Sequence, residues 1–406
     1  MVNSPGESLY NTAREFFPPL QGEEKYRTQG FNEIALIYGV SELSFRKTAD
    51  LINKIRYQKE NGTPYRTIRD ITNSEGAKIQ KTLDKKSKKI IKDNGLNHEI
   101  KTKQDACDSF VQMSSELKDQ ELFEVVQCLP VNESSKPEIL KNPVPYIHPG
   151  EGVDICLDDV GVKKQKDERK NKAQENNCDV ELSTKKKRVY IQNTVVHVKH
   201  QRKSYMLNGY GVFHVLQLLL SFLIHNELNE KTLTFFIDGH GLFSKVLQYF
   251  FWHKKVIIIL DWYHLRKKCS ELLSMALCGS KIRNEVLNDI LPLLWHGLVD
   301  ETVCYLNHIQ KTKVKNTKEL KHLISYLRKN TPMIPAYSVR KEIGLTNSSN
   351  RGEKANELLV AHRQKKNGMS WSKSGSISLA SITALSKNKE YERWFDSGEI
   401  EFKLAA

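Results

Sequence analysis

Nowhere does the sequence place two cysteines in a C-x-x-C spacing. Its seven cysteines, Cys107, Cys128, Cys156, Cys178, Cys269, Cys278 and Cys304, are scattered and odd in number. That excludes a disulfide framework and a zinc site of ordinary ligand spacing, and points to a reducing compartment. The longest apolar run, VFHVLQLLLSFLI, is shorter than a membrane span and is interrupted by His214 and Gln217,. The opening residues MVNSPGESLYNTAREFF carry no apolar leader,. A cytoplasmic protein without membrane association is expected. Acid is in deficit too: 48 Asp and Glu against 63 Lys and Arg leave a net charge of +15 and a pI near 9.3. A basic balance favours a polyanionic partner but does not identify one. No internal repeat is evident.

At 406 residues the chain is long for one compact domain,. Residues 31–75 read as three short helices. In the second, Ser44 caps while Phe45, Ala49 and Ile52 share a face; in the third, Thr63 caps and Pro64 takes the first helical position,. This is helix-turn-helix material, with Arg66 and Arg69 facing DNA, and a plain helical hairpin is the competing reading. Lysines crowd residues 78–103, as in KTLDKKSKKIIKDN, and suit a solvated helix or linker better than a phosphate contact. An amphipathic helix follows in DACDSFVQMSSELKDQELFEVVQCL, then a proline-punctuated connector that marks a boundary near residue 149,.

Beyond it the pattern runs strand (VDICLDDVGV), charged low-complexity loop, two strands (RVYIQNTVVHVKH, KSYML), helix (YGVFHVLQLLLSFLIHNEL), strand (TLTFFID), helix (HGLFSKVLQYFFWH), strand (VIIILD),. That is the layout of an RNase H-like α/β core. From His264 to about Ile343 every periodic segment looks helical, as an insertion before the core resumes.

Cleavage of a phosphodiester with two metal ions needs a few carboxylates converging on hard cations. In such a sheet the first acid comes from the first strand, the second from the fourth strand beside it, and the third from a later helix. Asp158 or Asp159 is the first candidate; successive strand residues face opposite ways, so only one can serve, and Asp158 is preferred. The competing reading is an Asp-Asp turn at a strand end. Asp238 ends an apolar strand before Gly239 and competes with a helix-cap role. The third acid lies in SSNRGEKANELLVAHRQKKNGMSWSKSG, as Glu353 or, one turn on, Glu357; Asn350 and Glu353 also fit a capping box,. His362, Arg363, Lys365 and Lys366 could line a phosphate path, and Trp371 could stack on a base or pack.

The closing phrase, with Glu353, Asn356, Arg363, Lys365, Gly368, Met369, Trp371 and Gly375, resembles the C-terminal signature of bacterial insertion-sequence transposases of the ISLre and ISKra groups, related to the Mutator-type and hAT-type DDE enzymes. Asp158, the Asp238-Gly239 pair and the D-x-x-H run from Asp261 to His264 are similar to other pieces of those proteins. The resemblance covers residue 35 to the end and is weakest in the Lys-rich region. It implies Asp158, Asp238 and Glu353 as catalytic metal ligands for two Mg²⁺, with Mn²⁺ as a substitute, and DNA as partner, both terminal inverted repeats and target. It further implies a homo-oligomer on DNA and a nucleoid-associated location. Asp261 and His264 would be a supporting pair, with a simple helix cap as the equal alternative for Asp261.

The expected organisation is a helix-turn-helix region over 1–80, a Lys-rich helical linker over 81–149, core over 150–264, helical insertion over 265–345 and the closing part of the core over 346–406. The expected activity is cleavage at element ends followed by 3′-hydroxyl strand transfer. The alternatives are an RNase H-like nuclease or resolvase that hydrolyses only, and a catalytically dead DNA-binding derivative.

Overall fold

A computed structural model describes residues 28–40, 43–57, 62–95, 116–165, 189–239, 246–247, 249–251, 256–365 and 369–404. The expected charged loop after the first strand, most of the helix after Asp238, and Lys366 lie outside the described residues.

A mixed five-stranded sheet organises the chain. Its strands are β1 (Val153–Lys163), β2 (Tyr190–His200), β3 (Lys203–Gly209), β4 (Leu233–Ile237) and β5 (Ile257–Leu260), in the spatial order β3-β2-β1-β4-β5. β2 runs antiparallel to β1 and β3, while β1, β4 and β5 are parallel. Each face is buried by a different set of helices, because alternate strand residues point opposite ways. Ile155, Leu157, Val196, Val198, Phe235 and Ile237 join the larger core. Cys156, Phe236, Ile257 and Ile259 point into the other, with the helical block.

On the first face lie α3 (Tyr65–Asp93) and α6 (Val212–His225). Nine residues of α6 are buried, Val212 to Leu223, as its near-continuous apolar sequence requires. Before α3 come α1 (Gln29–Val40) and α2 (Phe45–Ile55). Ser44 caps α2 as expected, accepting from the Lys47 amide. Thr63 does not cap α3. Pro64 occupies the cap position with Tyr65 first in the helix, and the Thr63 backbone is instead held by the Asn53 side chain at 2.7 and 3.1 Å.

α3 also runs unbroken through residue 80, where a linker was expected to begin. Its lysines are carried, mostly exposed, on a helix that buries Ile79, Gln80, Ser87 and Ile91 on its other side. Only Asp119–Gln127 of the expected amphipathic helix is described as a helix, α4, followed by α5 (Lys136–Leu140).

The stretch expected to be helical is so: α7 (Trp262–Ala276), α8 (Ser280–Trp295), α9 (Val299–Asn307), α10 (Thr317–Asn330) and α11 (Tyr337–Glu342). It is fastened to the sheet by aromatics at the end of β5. Trp262 packs on Trp295 and Tyr337 with ring centroids 4.9 and 5.0 Å apart, and the Tyr337 hydroxyl donates to the Leu260 carbonyl at 2.7 Å. The chain then returns as α12 (Asn350–Asn356), which continues through a π turn at Glu357–Ala361 to Gln364, and as α13 (Lys373–Lys387) and α14 (Tyr391–Ser397).

α13 is buried from Gly375 to Leu385 although it is rich in serine. Small residues allow its backbone to approach α3: a Cβ on Gly76 would stand 2.4 Å from that of Ser378. The serines are tied elsewhere, Ser376 to Gln364 and Ser381 to Gln80 and Asn208.

Candidate active site

Asp158 lies inside β1, not at a turn. The strand continues to Lys163, and both acids of the Asp-Asp pair are strand residues. Cys156 is in register with Phe236 of β4. Asp158 comes two residues later in β1, while Asp238 stands just beyond the end of β4 at Ile237, and its charge reaches Asp158. Period-two alternation along β1 puts Asp158 on the Cys156 face,. Asp159 points the other way and accepts from the Thr194 hydroxyl at 2.5 Å.

α12 descends along that same face. Arg351 lies 3.6 Å from Asp154, Gly352 sits against Cys156, and the Asn356 amide donates to Asp158 Oδ2 at 2.5 Å. Gly352 is required for the approach, since a Cβ there would be 2.8 Å from the Cys156 Cβ, closer than non-bonded carbons pack. Glu353 comes one residue later. The expected capping box does not form: Ser349 is the cap residue and its own side chain makes no cap bond, while Ser348 Oγ accepts from the Asn350 amide at 3.0 Å. Glu353 Oε1 instead lies 3.8 Å from His264 Nε2, whereas Glu357 pairs with Lys354 at 2.9 Å.

Asp261 is a helix cap and a partner of His264 at once. Its buried carboxylate caps α7, accepting from the His264 amide at 2.9 Å, and meets the His264 ring Nδ1 at 3.1 Å. It also accepts from the Ser349 amide, at the start of α12. One side chain therefore joins the end of β5, the first turn of α7 and the helix of Glu353. Burial pushes the Asp261 carboxyl up, but the bonds from His264 and Ser349 outweigh it and hold it below its ordinary range. The bond to Asp261 raises the His264 ring, against desolvation, and the charges of Asp261, Asp238 and Glu353 add to the rise.

Burial raises the Asp158 carboxyl, and the charge of Asp238 adds to that, while Asn356, the Asp159 amide and His264 oppose it. Deeper on the same face, burial raises Asp154 against the pull of Arg340 and Arg351, and burial brings Arg340 down to about 10. Arg340 is wholly enclosed and donates to the Thr346 carbonyl at 2.8 and 3.2 Å. Among the described residues no three His, Cys, Asp or Glu side chains stand close enough together to hold a metal ion as they are.

The basic residues divide. Arg66 and Arg69 are exposed on the first turns of α3, with Arg69 bonded to Asp70 at 2.8 Å. Lys365 is exposed. Arg363 and Trp371 do not face a phosphate path. The Arg363 guanidinium lies between the rings of Phe45 and Trp371, 5.2 and 5.4 Å from their centroids, and burial brings it down to about 10. The Trp371 indole donates to the Gln364 carbonyl at 3.1 Å.

Asn356 and Ser349 were not among the expected site residues. The three-residue spacing of Asn356 from Glu353, which puts both on one helix face, was a signal for the first. Nothing local signals the second.

Residues 202–399 match a family model described as an uncharacterised protein family, UPF0236. The matched stretch contains Asp238, Asp261, His264, Glu353 and Asn356; Asp158 precedes it. No curated protein matches the chain. Among solved structures, the Drosophila P element transposase strand transfer complex aligns over 98% of this chain and 88% of that chain at 10% sequence identity. Its TM-score is 0.26, too low for a shared fold to be read from it.

Proposed function

We propose that the protein is a DDE transposase of insertion-sequence type, akin to the ISLre and ISKra groups. In this reading an RNase H-like core is interrupted by α7–α11 and preceded by a helix-turn-helix that reads DNA. The observation that carries it is the placement of Asp158 in β1 and of Asp238 at the end of its parallel neighbour β4, beside the helix of Glu353. The strand order, with β2 alone running against its neighbours, supports the core assignment. Exposed Arg66 and Arg69 support DNA contact by α3.

Asp158, Asp238 and Glu353 would hold Mg²⁺ or Mn²⁺. Their chemistry fits: all offer hard carboxylate oxygens, and the charge of Asp238 already disfavours ionised Asp158, a repulsion that a cation relieves. When bound, the ions supply the charge that activates a nucleophile and stabilises a leaving oxygen. The chain's own residues position. Asn356 holds the Asp158 carboxylate, and Asp261, through the Ser349 amide, fixes the start of the helix bearing Glu353. The reaction is cleavage at the element's ends followed by attack of the 3′-hydroxyl on target DNA. Joining two ends calls for a homo-oligomer on DNA.

One observation favours a second reading, a DNA-binding derivative without catalysis: no three candidate ligands among the described residues stand at metal-binding separation. A strand-transfer assay on DNA bearing the element's inverted repeats, with Mg²⁺ or Mn²⁺, separates the two. Cleavage and joining by the parent and neither by Asp238→Asn is the expected result. Equal activity in the variant sinks the assignment of the acids. A parent that binds but never cuts makes the protein a binder, and one that cuts without joining makes it a nuclease.

A further inference from the structure

Asn356 does more than its bond to Asp158 requires. Its side chain is 6% exposed, and its Oδ1 is buried without a hydrogen-bond partner. The orientation of the amide is fixed by chemistry, because an ionised carboxylate only accepts and Nδ2 must therefore face Asp158 Oδ2. The orphaned carbonyl oxygen is thus held within an amide's width of the first acid, which Asp238, just beyond the end of the neighbouring strand, also approaches closely enough for its charge to act. Buried carbonyls are rarely left without a partner, and one that is calls for an explanation. A side-chain carbonyl is also a hard neutral oxygen of the kind that divalent cations accept beside carboxylates.

The geometry points to Asn356 as a fourth oxygen donor of the acid site, its Oδ1 ligating the same divalent cation as Asp158. The inference rests on the reading of Asp158 and Asp238 as a cation site. It adds a residue whose two ends have different tasks: Nδ2 orients the first acid and Oδ1 meets the ion. The helix that brings Glu353 then contributes two donors, three residues apart on one face, and the buried oxygen finds its partner.

The test is Mn²⁺ binding to the full chain without DNA, followed by electron paramagnetic resonance of the free ion, for the parent, Asn356→Ala, Asn356→Asp and Asp238→Asn. Asn356→Ala is expected to bind at least about tenfold more weakly, the least that losing a metal-site residue costs. Asn356→Asp gives up the N–H but keeps an oxygen and gains charge, so it should bind at least as tightly as the parent, with a thermal midpoint raised more by Mn²⁺. If the residue acts only through its N–H, the aspartate is the worse substitution, since it sets two carboxylates against each other. Binding by Asn356→Asp at or below that of Asn356→Ala, or unchanged binding by Asn356→Ala, overturns the proposal. Should the alanine variant fail to fold, weaker binding by Asn356→Asp than by the parent overturns it alone. If Asp238→Asn binds like the parent, the cation site lies elsewhere and the proposal falls with it.

Discussion

Asp261→Asn is the substitution whose cost can be worked from the structure. The parent carboxylate is fully buried and accepts from the His264 amide, the His264 ring and the Ser349 amide. An asparagine in the same place has one acceptor oxygen. With that oxygen toward His264, its NH₂ faces the Ser349 N–H, donor against donor; flipped, it leaves the His264 side unsatisfied. Either way a buried N–H loses its partner, which costs about 1–3 kcal/mol, and the weakening of a charge-assisted bond to His264 adds about 1 kcal/mol.

Urea unfolding should therefore show a loss of about 2–4 kcal/mol with an unchanged m-value, and exchange of the Ser349 amide should accelerate. Mn²⁺ binding should persist, whereas Asp238→Asn should lose it; the reverse pattern would overturn the division of roles. The cost should also depend on pH. Asp261's carboxyl is lowered from its ordinary 3.8, so its contribution is present above that value and fades as pH falls through the lowered one,. His264 is raised from 6.5, so its contribution is whole below 6.5 and fades as pH rises through the raised value,. The pair is thus strongest between pH 3.8 and 6.5, and the difference between parent and variant should narrow outside that window. A loss under about 0.5 kcal/mol, the scale of an ordinary surface change, with unaltered Ser349 exchange, would refute the reasoning.

Arg66→Ala with Arg69→Ala should weaken DNA binding and flatten its dependence on salt, the log–log slope falling by about 0.9 for each phosphate contact removed. Fluorescence anisotropy across a salt series measures this, and an unchanged slope removes α3 from the DNA face. His197 is buried beneath α12; burial, Arg351 and Lys199 push its ring down to about 4. The unfolded chain takes up that proton near 6.5 while the folded one does not. Stability should therefore fall as pH drops from 6.5 toward 4, by up to roughly 3 kcal/mol. His197→Gln should flatten that limb of the unfolding curve, and an unaltered limb would show that other groups control it.

The sheet was legible because its strands are written as apolar runs. TLTFFID and VIIILD each pack between two layers of helix, and such strands need no alternation to be found. Asp158 stood out for a related reason, as an acid in an otherwise buried sequence. The strand reading of VDICLDDVGV already held it; the fold decides against the competing turn, since β1 runs on to Lys163, and adds what the sequence did not show, α12 beside it. Arg363 misled, since a basic residue in a candidate nucleic-acid site reads as a contact, and Trp371 took the packing alternative. The corrective signal was helical: Ala355, Leu359 and Arg363 recur every four residues, and the first two are apolar, so the third shares a buried face,. The bond between Asp261 and Ser349 spans 88 residues and has no local trace.

That long-range bond changes what the helical block is for. A spacer between β5 and the last acid could have any length, provided its ends met. Here the ends are specified by several contacts. The Tyr337 hydroxyl donates to Leu260, the last residue of β5, at 2.7 Å. Asn347 donates to the Tyr337 carbonyl at 2.7 Å, and its own carbonyl accepts from the Trp262 amide at 3.3 Å. Asp261 then takes the Ser349 amide. The exit of the block is therefore stitched to its entrance, and the direction in which α12 leaves is set before Gly352 meets Cys156. Two groups then lie along a line set by β5: Glu353 beside His264, and Asn356 against Asp158. Substitutions that loosen the aromatic packing of Trp262, Trp295 and Tyr337 should accordingly move the Glu353 helix without touching an acid, because the lead-in to that helix is anchored on Tyr337.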